Sequence, residues 1–167
     1  MKLYINDANI LMDIVQLDIV DSFLSLNAAL YTTDFVFAEL NQLQQSAMQR
    51  QELIRLKPEG EDLVSIFELF TNINGLSIED CSVLHFAEKM KGCLISGDGK
   101  LRKVAKARHI EVRGIIYIME QIKTQGLLDL VTCVDKLHEL KTINERLPMD
   151  EIDARIEAWR LEINHPR

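Results

Sequence analysis

Apolar residues along the chain fall into short continuous runs separated by longer stretches at helical spacing. Residues 2–5 read as a buried strand. Residues 8–26 read as helical in two pieces, with Ile10, Leu11, Ile14, Val15, Ile19, Phe23 and Leu24 supplying the apolar faces. A second strand is expected over 29–32. Asp34 then stands where its carboxylate could cap a helix over 35–45 by accepting from the free N–H groups of the first turn. The polar run 42–51 carries little pattern, and residues 53–56 suit a short edge strand before Pro58. A helix over 59–72 is closed by Asn74-Gly75, and Ser77 opens the next one. Strand 93–96, helix 100–108, strand 110–112 and helix 115–123 follow. This βαβα alternation predicts an α/β chain with a largely parallel central sheet between two helical layers. Beyond Gly126 two helices, 127–147 and 150–164, flank Pro148, so the chain divides into a domain over 1–125 and a helical C-terminal extension over 126–167.

A length of 167 residues supports a sizeable core without disulfides or a structural metal. No apolar run approaches the ~20 residues needed to span a bilayer, so no membrane partner is expected. Asp7 and Asp13 interrupt the apolar N-terminal stretch, which argues against a secretory signal and for a cytoplasmic protein. The three cysteines, Cys81, Cys93 and Cys133, have no zinc-site spacing and are expected to be reduced thiols. A net charge of −7 speaks against broad, nonspecific nucleic-acid binding. Its distribution changes that picture. Residues 1–46 hold six acids and one base, Lys2, whereas residues 100–113 hold Lys100, Arg102, Lys103, Lys106, Arg108 and Arg113 against Glu111 alone. A basic strip beside an acidic cluster suits a polyanion held next to bound cations, and it equally suits a solvated helix face.

Asp7 and Asp98 each follow a strand at the same end of the sheet. Strands one and four are neighbours across the switch point of a doubly wound sheet, so the two acids can converge, although capping the next helix would explain either one alone. On a helix turning about 100° per residue, Glu39 falls between Phe35 and Leu43 inside an apolar arc, where a carboxylate needs a partner or a cation. Asp80 lies three residues after Ser77, which a capping box explains, and it also flanks the buried face; Glu79 competes with it for a place in the cleft. Several carboxylates at one site call for hard, oxygen-preferring cations such as Mg²⁺ or Mn²⁺.

In order and spacing, Asp7-Ala8-Asn9, Phe37-Ala38-Glu39-Leu40, Leu76-Ser77-x-x-Asp80 with Leu84 and Ala87, and Ser96-Gly97-Asp98-x-x-Leu101-Arg102 resemble the PIN domain of VapC-type ribonucleases. The likeness runs from residue 2 to about residue 122. It implies a PIN-like three-layer α/β/α fold and a Mg²⁺- or Mn²⁺-dependent endoribonuclease, a hydrolase acting by a two-metal mechanism, with a toxin role and an antitoxin partner within its scope. Asp7, Glu39, Asp80 and Asp98 match the family's catalytic and metal-binding acids, with Asp7 and Asp98 central; Asn9 and Ser96 match small polar positions near the metals. Lys100, Arg102 and Lys103 would hold the RNA backbone. A receiver-like signalling domain is the weaker alternative, because strand one is followed by Asp-Ala-Asn and not by an acid pair. A PIN-like binding or regulatory module without catalysis is the other.

The last helix carries Ile152, Ile156, Trp159 and Ile163 as one apolar stripe on a charged background. Such a stripe must be covered, and the expectation is burial between copies in a homo-oligomer.

Overall fold

Strand β1 (Lys2–Asn6) runs through the middle of a five-stranded parallel sheet ordered β3-β2-β1-β4-β5 in the computed structural model of the chain, which describes residues 1–166. On one side it pairs with β2 (Ala28–Thr33), Tyr4 lying opposite Leu30; on the other it pairs with β4 (Cys93–Ile95), Asn6 lying opposite Ile95. The edges are β3 (Leu53–Leu56) and β5 (Val112–Arg113). Tyr4, Ile5, Leu30, Leu94 and Ile95 are buried, and strands covered on both faces read as unbroken apolar runs. The last strand lies later than expected. Ile110 is buried, but its N–H closes a turn onto the Ala105 carbonyl, so ladder pairing with β4 starts at the Glu111 carbonyl.

Helix α1 (Ala8–Gln16) and the short α2 (Val20–Leu24) follow β1; α3 (Asp34–Glu39) and α4 (Gln42–Met48) join β2 to β3. On the way to β4 come α5 (Glu61–Asn72) and α6 (Ile78–Met90), and α7 (Gly99–Ala107) leads to β5. Helix α6 covers β1 and β2 with α5 and α7 beside it, whereas α1 gathers α2, α4 and α9 into the other helical layer. The chain closes with α8 (Ile115–Thr124), α9 (Leu130–Ile143) and α10 (Met149–Asn164). This is the three-layer α/β/α arrangement expected from the βαβα pattern. No helix of the described residues is long and apolar enough to cross a membrane, and all three cysteines are buried and unpaired.

Three further expectations are corrected. The helix foreseen over 35–45 is two helices. Leu40 is extended and buried, and Asn41 then opens α4 with a full capping box to Gln44. Gln45 satisfies the end of α3 by donating to the Phe37 and Leu40 carbonyls. The cap of α3 is Thr33, whose hydroxyl accepts from Val36 N–H, while Asp34 pairs with Arg55 at 2.8 Å.

The third correction concerns the tail. Ile152, Ile156 and Trp159 are 0%, 3% and 4% exposed, because α10 folds back along α9, which in turn packs on α8 and α1. Lys123 of α8 reaches over the Trp159 ring and pairs with Glu162, and Arg155 pairs with Glu120. The stripe therefore belongs to the chain's own core, with only Ile163 partly open, and does not form an interface between copies.

Candidate active site

The β1–β4 ladder delivers Asp7 and Ser96 side by side at the carboxyl edge of the sheet. Asp7 N–H donates to the Ile95 carbonyl at 3.0 Å, one residue beyond the paired strands. Asp7 is 3% exposed and caps α1, its Oδ1 accepting from Ala8 N–H at 2.8 Å. Its Oδ2 accepts from the Ser96 hydroxyl at 2.8 Å, and the same hydroxyl oxygen accepts from Asp98 N–H at 3.1 Å. Asp98 then caps α7, Oδ1 accepting from Leu101 N–H at 2.8 Å. Both acids thus cap helices and also converge, and Ser96, fully buried, is the link between them.

Asp80 completes the capping box of α6: its Oδ2 accepts from Ser77 N–H at 2.9 Å while Ser77 Oγ accepts from Asp80 N–H at 3.0 Å. Half-buried, it stands within electrostatic reach of Asp7, Asp98 and Glu79. Glu39 is placed differently from the apolar-arc reading. Because α3 ends at residue 39, the helical phase that put it between Phe35 and Leu43 breaks there; its side chain is exposed, and Leu43 is 81% exposed. Glu39 nevertheless faces the same cluster. A buried hydrogen bond of 2.7 Å between Thr33 and Ser82 ties α3 to α6, and Ser82 also bonds the Glu79 carbonyl. The roles of Thr33 and Ser82 are hidden in the sequence, since hydroxyls inside apolar runs carry no distinguishing pattern.

Electrostatically the site is one-sided. None of Asp7, Glu39, Glu79, Asp80 and Asp98 has an ion-pair partner among the described residues. Burial pushes Asp7 up to about 6, with Asp80 and Asp98 adding to the shift and the bonds from Ser96 and Ala8 opposing it. Although Glu39 is open to solvent, desolvation of its carboxyl and then the charges of Glu79, Asp7 and Asp80 push it to about 7. Asp80 is raised by burial, by Asp98 and by Glu79 against the bonds from Ser77. The N-termini of α1, α6 and α7 aim their partial positive charge at the cluster and offset part of the repulsion.

An all-oxygen, uncompensated donor set is the chemistry that Mg²⁺ or Mn²⁺ takes. Among the described residues no three His, Cys, Asp or Glu side chains stand close enough to enclose an ion directly. Mg²⁺ ordinarily takes one or two carboxylates and keeps water on its other positions, so the residues fit an ion held partly through water.

The raised acids have a consequence for metal-free protein. A carboxyl with a higher pKa folded than unfolded holds its proton more tightly when folded. Its contribution to stability is complete below the unfolded value near 4 and is lost as pH rises through 6–7. Thermal unfolding in chelator should therefore show a higher midpoint at about pH 5.5 than at about pH 8, and saturating Mn²⁺ should close the gap. An equal or lower midpoint at the acidic pH would contradict the cluster's electrostatics.

The flanking residues divide. Asn9 is exposed and shares with Asp98 a cleft of about 750 Å³. Lys100 and Lys103 are exposed without ion pairs among the described residues, and Lys100 lies over Gly75, just before α6. Arg102 is half-buried, its guanidinium donating to the Ser96 carbonyl at 2.8 Å and so bracing the strand end. Arg108 and Arg113 pair with Glu88 and Glu111. Asn6, fully buried in β1, keeps its amide nitrogen on the Tyr4 and Tyr31 carbonyls and leaves Oδ1 without a partner. A separate cavity of about 440 Å³ around His85, Lys89 and Arg108 includes none of the acids of the cluster.

Comparison with known proteins agrees with this architecture. A family profile described as PIN domain matches residues 3–160. Among solved structures the chain is similar to the VapBC2 complex of Rickettsia felis bound to a promoter DNA fragment, at 14% identity and a TM-score of 0.51 over 67% of this chain and 98% of that one. It is also similar to VapBC-1 of nontypeable Haemophilus influenzae, at 14% identity and a TM-score of 0.48 over 68% and 98%. Comparison with curated proteins returns no match.

Proposed function

The chain belongs to the PIN-domain family, and from that premise we propose that it is a metal-dependent endoribonuclease whose site is the carboxylate cluster at the carboxyl edge of β1 and β4. The observation that carries this reading is the Asp7–Ser96–Asp98 linkage: one buried hydroxyl donates to the Asp7 carboxylate and accepts from the Asp98 backbone N–H, and neither acid has an ion-pair partner among the described residues. A pair of divalent ions, when bound, supplies an activated water and stabilises the leaving oxygen in phosphodiester hydrolysis.

The chain's own residues set the stage for that chemistry. Asp7 is locked by two hydrogen bonds, so its carboxylate cannot swing away from the site. Asp98 keeps one oxygen on its helix cap, and its other oxygen has no hydrogen bond among the described residues. Asp80 and Glu39 complete the acidic wall, and Glu79 adds to it. Without bound ions Glu39 is pushed up to about 7, and a cation at the site would favour its charged form. Ser96 fixes the spacing of the two central acids, and Asn9 stands at the mouth. Lys100 and Lys103 would take backbone phosphates of single-stranded or looped RNA, where sequence-specific recognition of RNA generally falls. By analogy with the VapBC2 complex, this reading extends to a toxin held by an antitoxin protein.

Incubation of the purified chain with a panel of structured RNAs, with Mg²⁺, with Mn²⁺ and with chelator, tests the proposal. Cleavage that requires the ion and gives discrete internal products is the expected outcome. Metal-independent cleavage would remove the ions from the proposal, and cleavage of no RNA would point instead to a binding module on the same fold.

A further inference from the structure

The cleft of about 750 Å³ that contains Asp98 has two banks. Asn9, Gly97, Asp98 and Gly99 line one. The other is the connection between α9 and α10, including Asn144 and Arg146. This connection is anchored at both ends of a single amide. Asn144 Nδ2 donates to Asp13 Oδ2 of α1 at 3.0 Å, and Asn144 Oδ1 accepts from Arg146 N–H at 3.3 Å. Asp13 is 8% exposed, so a buried carboxylate is committed to holding a surface connection in place. Burying a carboxylate is costly unless it is well bonded, which marks the latch as more than a loop contact.

What the latch presents is Arg146. Among the described residues it is the arginine whose guanidinium has neither an ion pair nor a hydrogen bond. Arg50, Arg55, Arg108, Arg113 and Arg155 are ion-paired, Arg102 bonds the Ser96 carbonyl, and Arg160 meets His138. In a chain of net charge −7 an exposed arginine with no ion pair among the described residues is out of the ordinary, the more so because it lines the same cleft as Asp98, Asp13 and its neighbour Glu145 without pairing with any of them. Its side is distinct as well. Lys100 lies over Gly75 at the start of the α6 layer, whereas the latch fastens Arg146 to α1 in the opposite layer.

We infer that the α9–α10 connection is the second bank of the nucleic-acid path, and that Arg146 clamps a backbone phosphate of single-stranded RNA on the side of Asp98 opposite Lys100 and Lys103. A strand crossing the carboxylates is repelled by them, so a cation on each bank fixes the phosphate between. A planar guanidinium can grip phosphate through two parallel N–H bonds, which sets position as well as charge. Arg146 is thus a substrate-positioning residue, and Asn144 acts through it. The inference rests on the nuclease reading and deepens it by giving the C-terminal helices a part in substrate binding.

The test is full-length Arg146→Ala against a fluorescein-labelled, single-stranded 2′-O-methyl oligonucleotide in Mg²⁺, followed by anisotropy across a salt series. Binding should weaken about tenfold, and the slope of log affinity against log salt should fall by roughly one phosphate's worth. Arg146→Lys should recover part of the affinity. On a cleaved RNA, KM should rise with kcat within about twofold, the signature of lost binding common to ground and transition states. Asn144→Ala, which keeps the guanidinium but frees the connection, should weaken binding in the same direction. Unchanged affinity and slope in Arg146→Ala, or no binding of the oligonucleotide by the wild type, overturns the inference. Absence of cleavage by a wild type that still binds through Arg146 overturns the nuclease reading and leaves the bank in place.

Discussion

Asp98→Asn should abolish RNA cleavage while leaving a folded protein that melts slightly higher than wild type in chelator. The fold survives because Asn caps a helix about as well as Asp, and the bond to Leu101 N–H needs only an oxygen. The slight gain comes from removing one of five carboxylates that share the site without an ion-pair partner among the described residues. The loss of activity is the large effect. Charge stabilisation by a bound ion is worth several kcal/mol, so weakening the residue proposed as its central ligand should cost about a thousandfold or more in rate. Mn²⁺ should raise the melting temperature of wild type and do so far less in the variant, since a ligand stabilises only the folded state that binds it. A well-folded Asp98→Asn protein that cleaves at the wild-type rate would remove the nuclease site from this cluster.

Trp159→Ala should cost about 3–5 kcal/mol, the range for truncating a buried aromatic, and should leave the mass by light scattering unchanged. The indole is 4% exposed, packed where α10 meets α9 and covered by Lys123. Against a total stability of about 5–15 kcal/mol such a loss is severe, and the melting temperature should drop by about 10 °C or more. The measurement separates two meanings of the stripe. A fall in mass with little change in the melting temperature would show that α10 joins two copies, against the packing described above.

Much of the fold is legible in the sequence because the sheet is buried on both faces. Strands β1 and β4 appear as unbroken apolar runs with an acid close behind each, so Asp7 and Asp98 can be matched across the sheet from the order of residues alone. Asp80 is legible from Ser77 three residues earlier. Glu39 is reached for an incorrect reason: a helix carried through Leu40, which is extended, assumes a phase that buries a side chain found exposed. The stripe of α10 reads correctly as apolar, but an amphipathic pattern states only that a face is covered and not by what. Asn144 and Asp13, 131 residues apart, meet through tertiary packing alone and leave no local mark. Arg102 reads as one more cation in a basic strip, and only the geometry shows one of its guanidinium nitrogens donating to the Ser96 carbonyl.

The central position of β1 has a consequence for synthesis. It is the earliest of the five strands in chain order and the middle one of the sheet, so β2 and β3 can join it early on one side while its other edge waits for β4. At ~5–20 residues per second, that wait is roughly 5–20 s. During it the nascent chain carries an open, apolar strand edge, the kind of surface that pairs with other chains or is shielded by chaperones. The same delay sets when the acids can meet, because Asp7 emerges long before Ser96 and Asp98. A ribosome-bound fragment shorter than β4 therefore carries no assembled cluster, and the site comes into being only when the sheet closes around its own beginning.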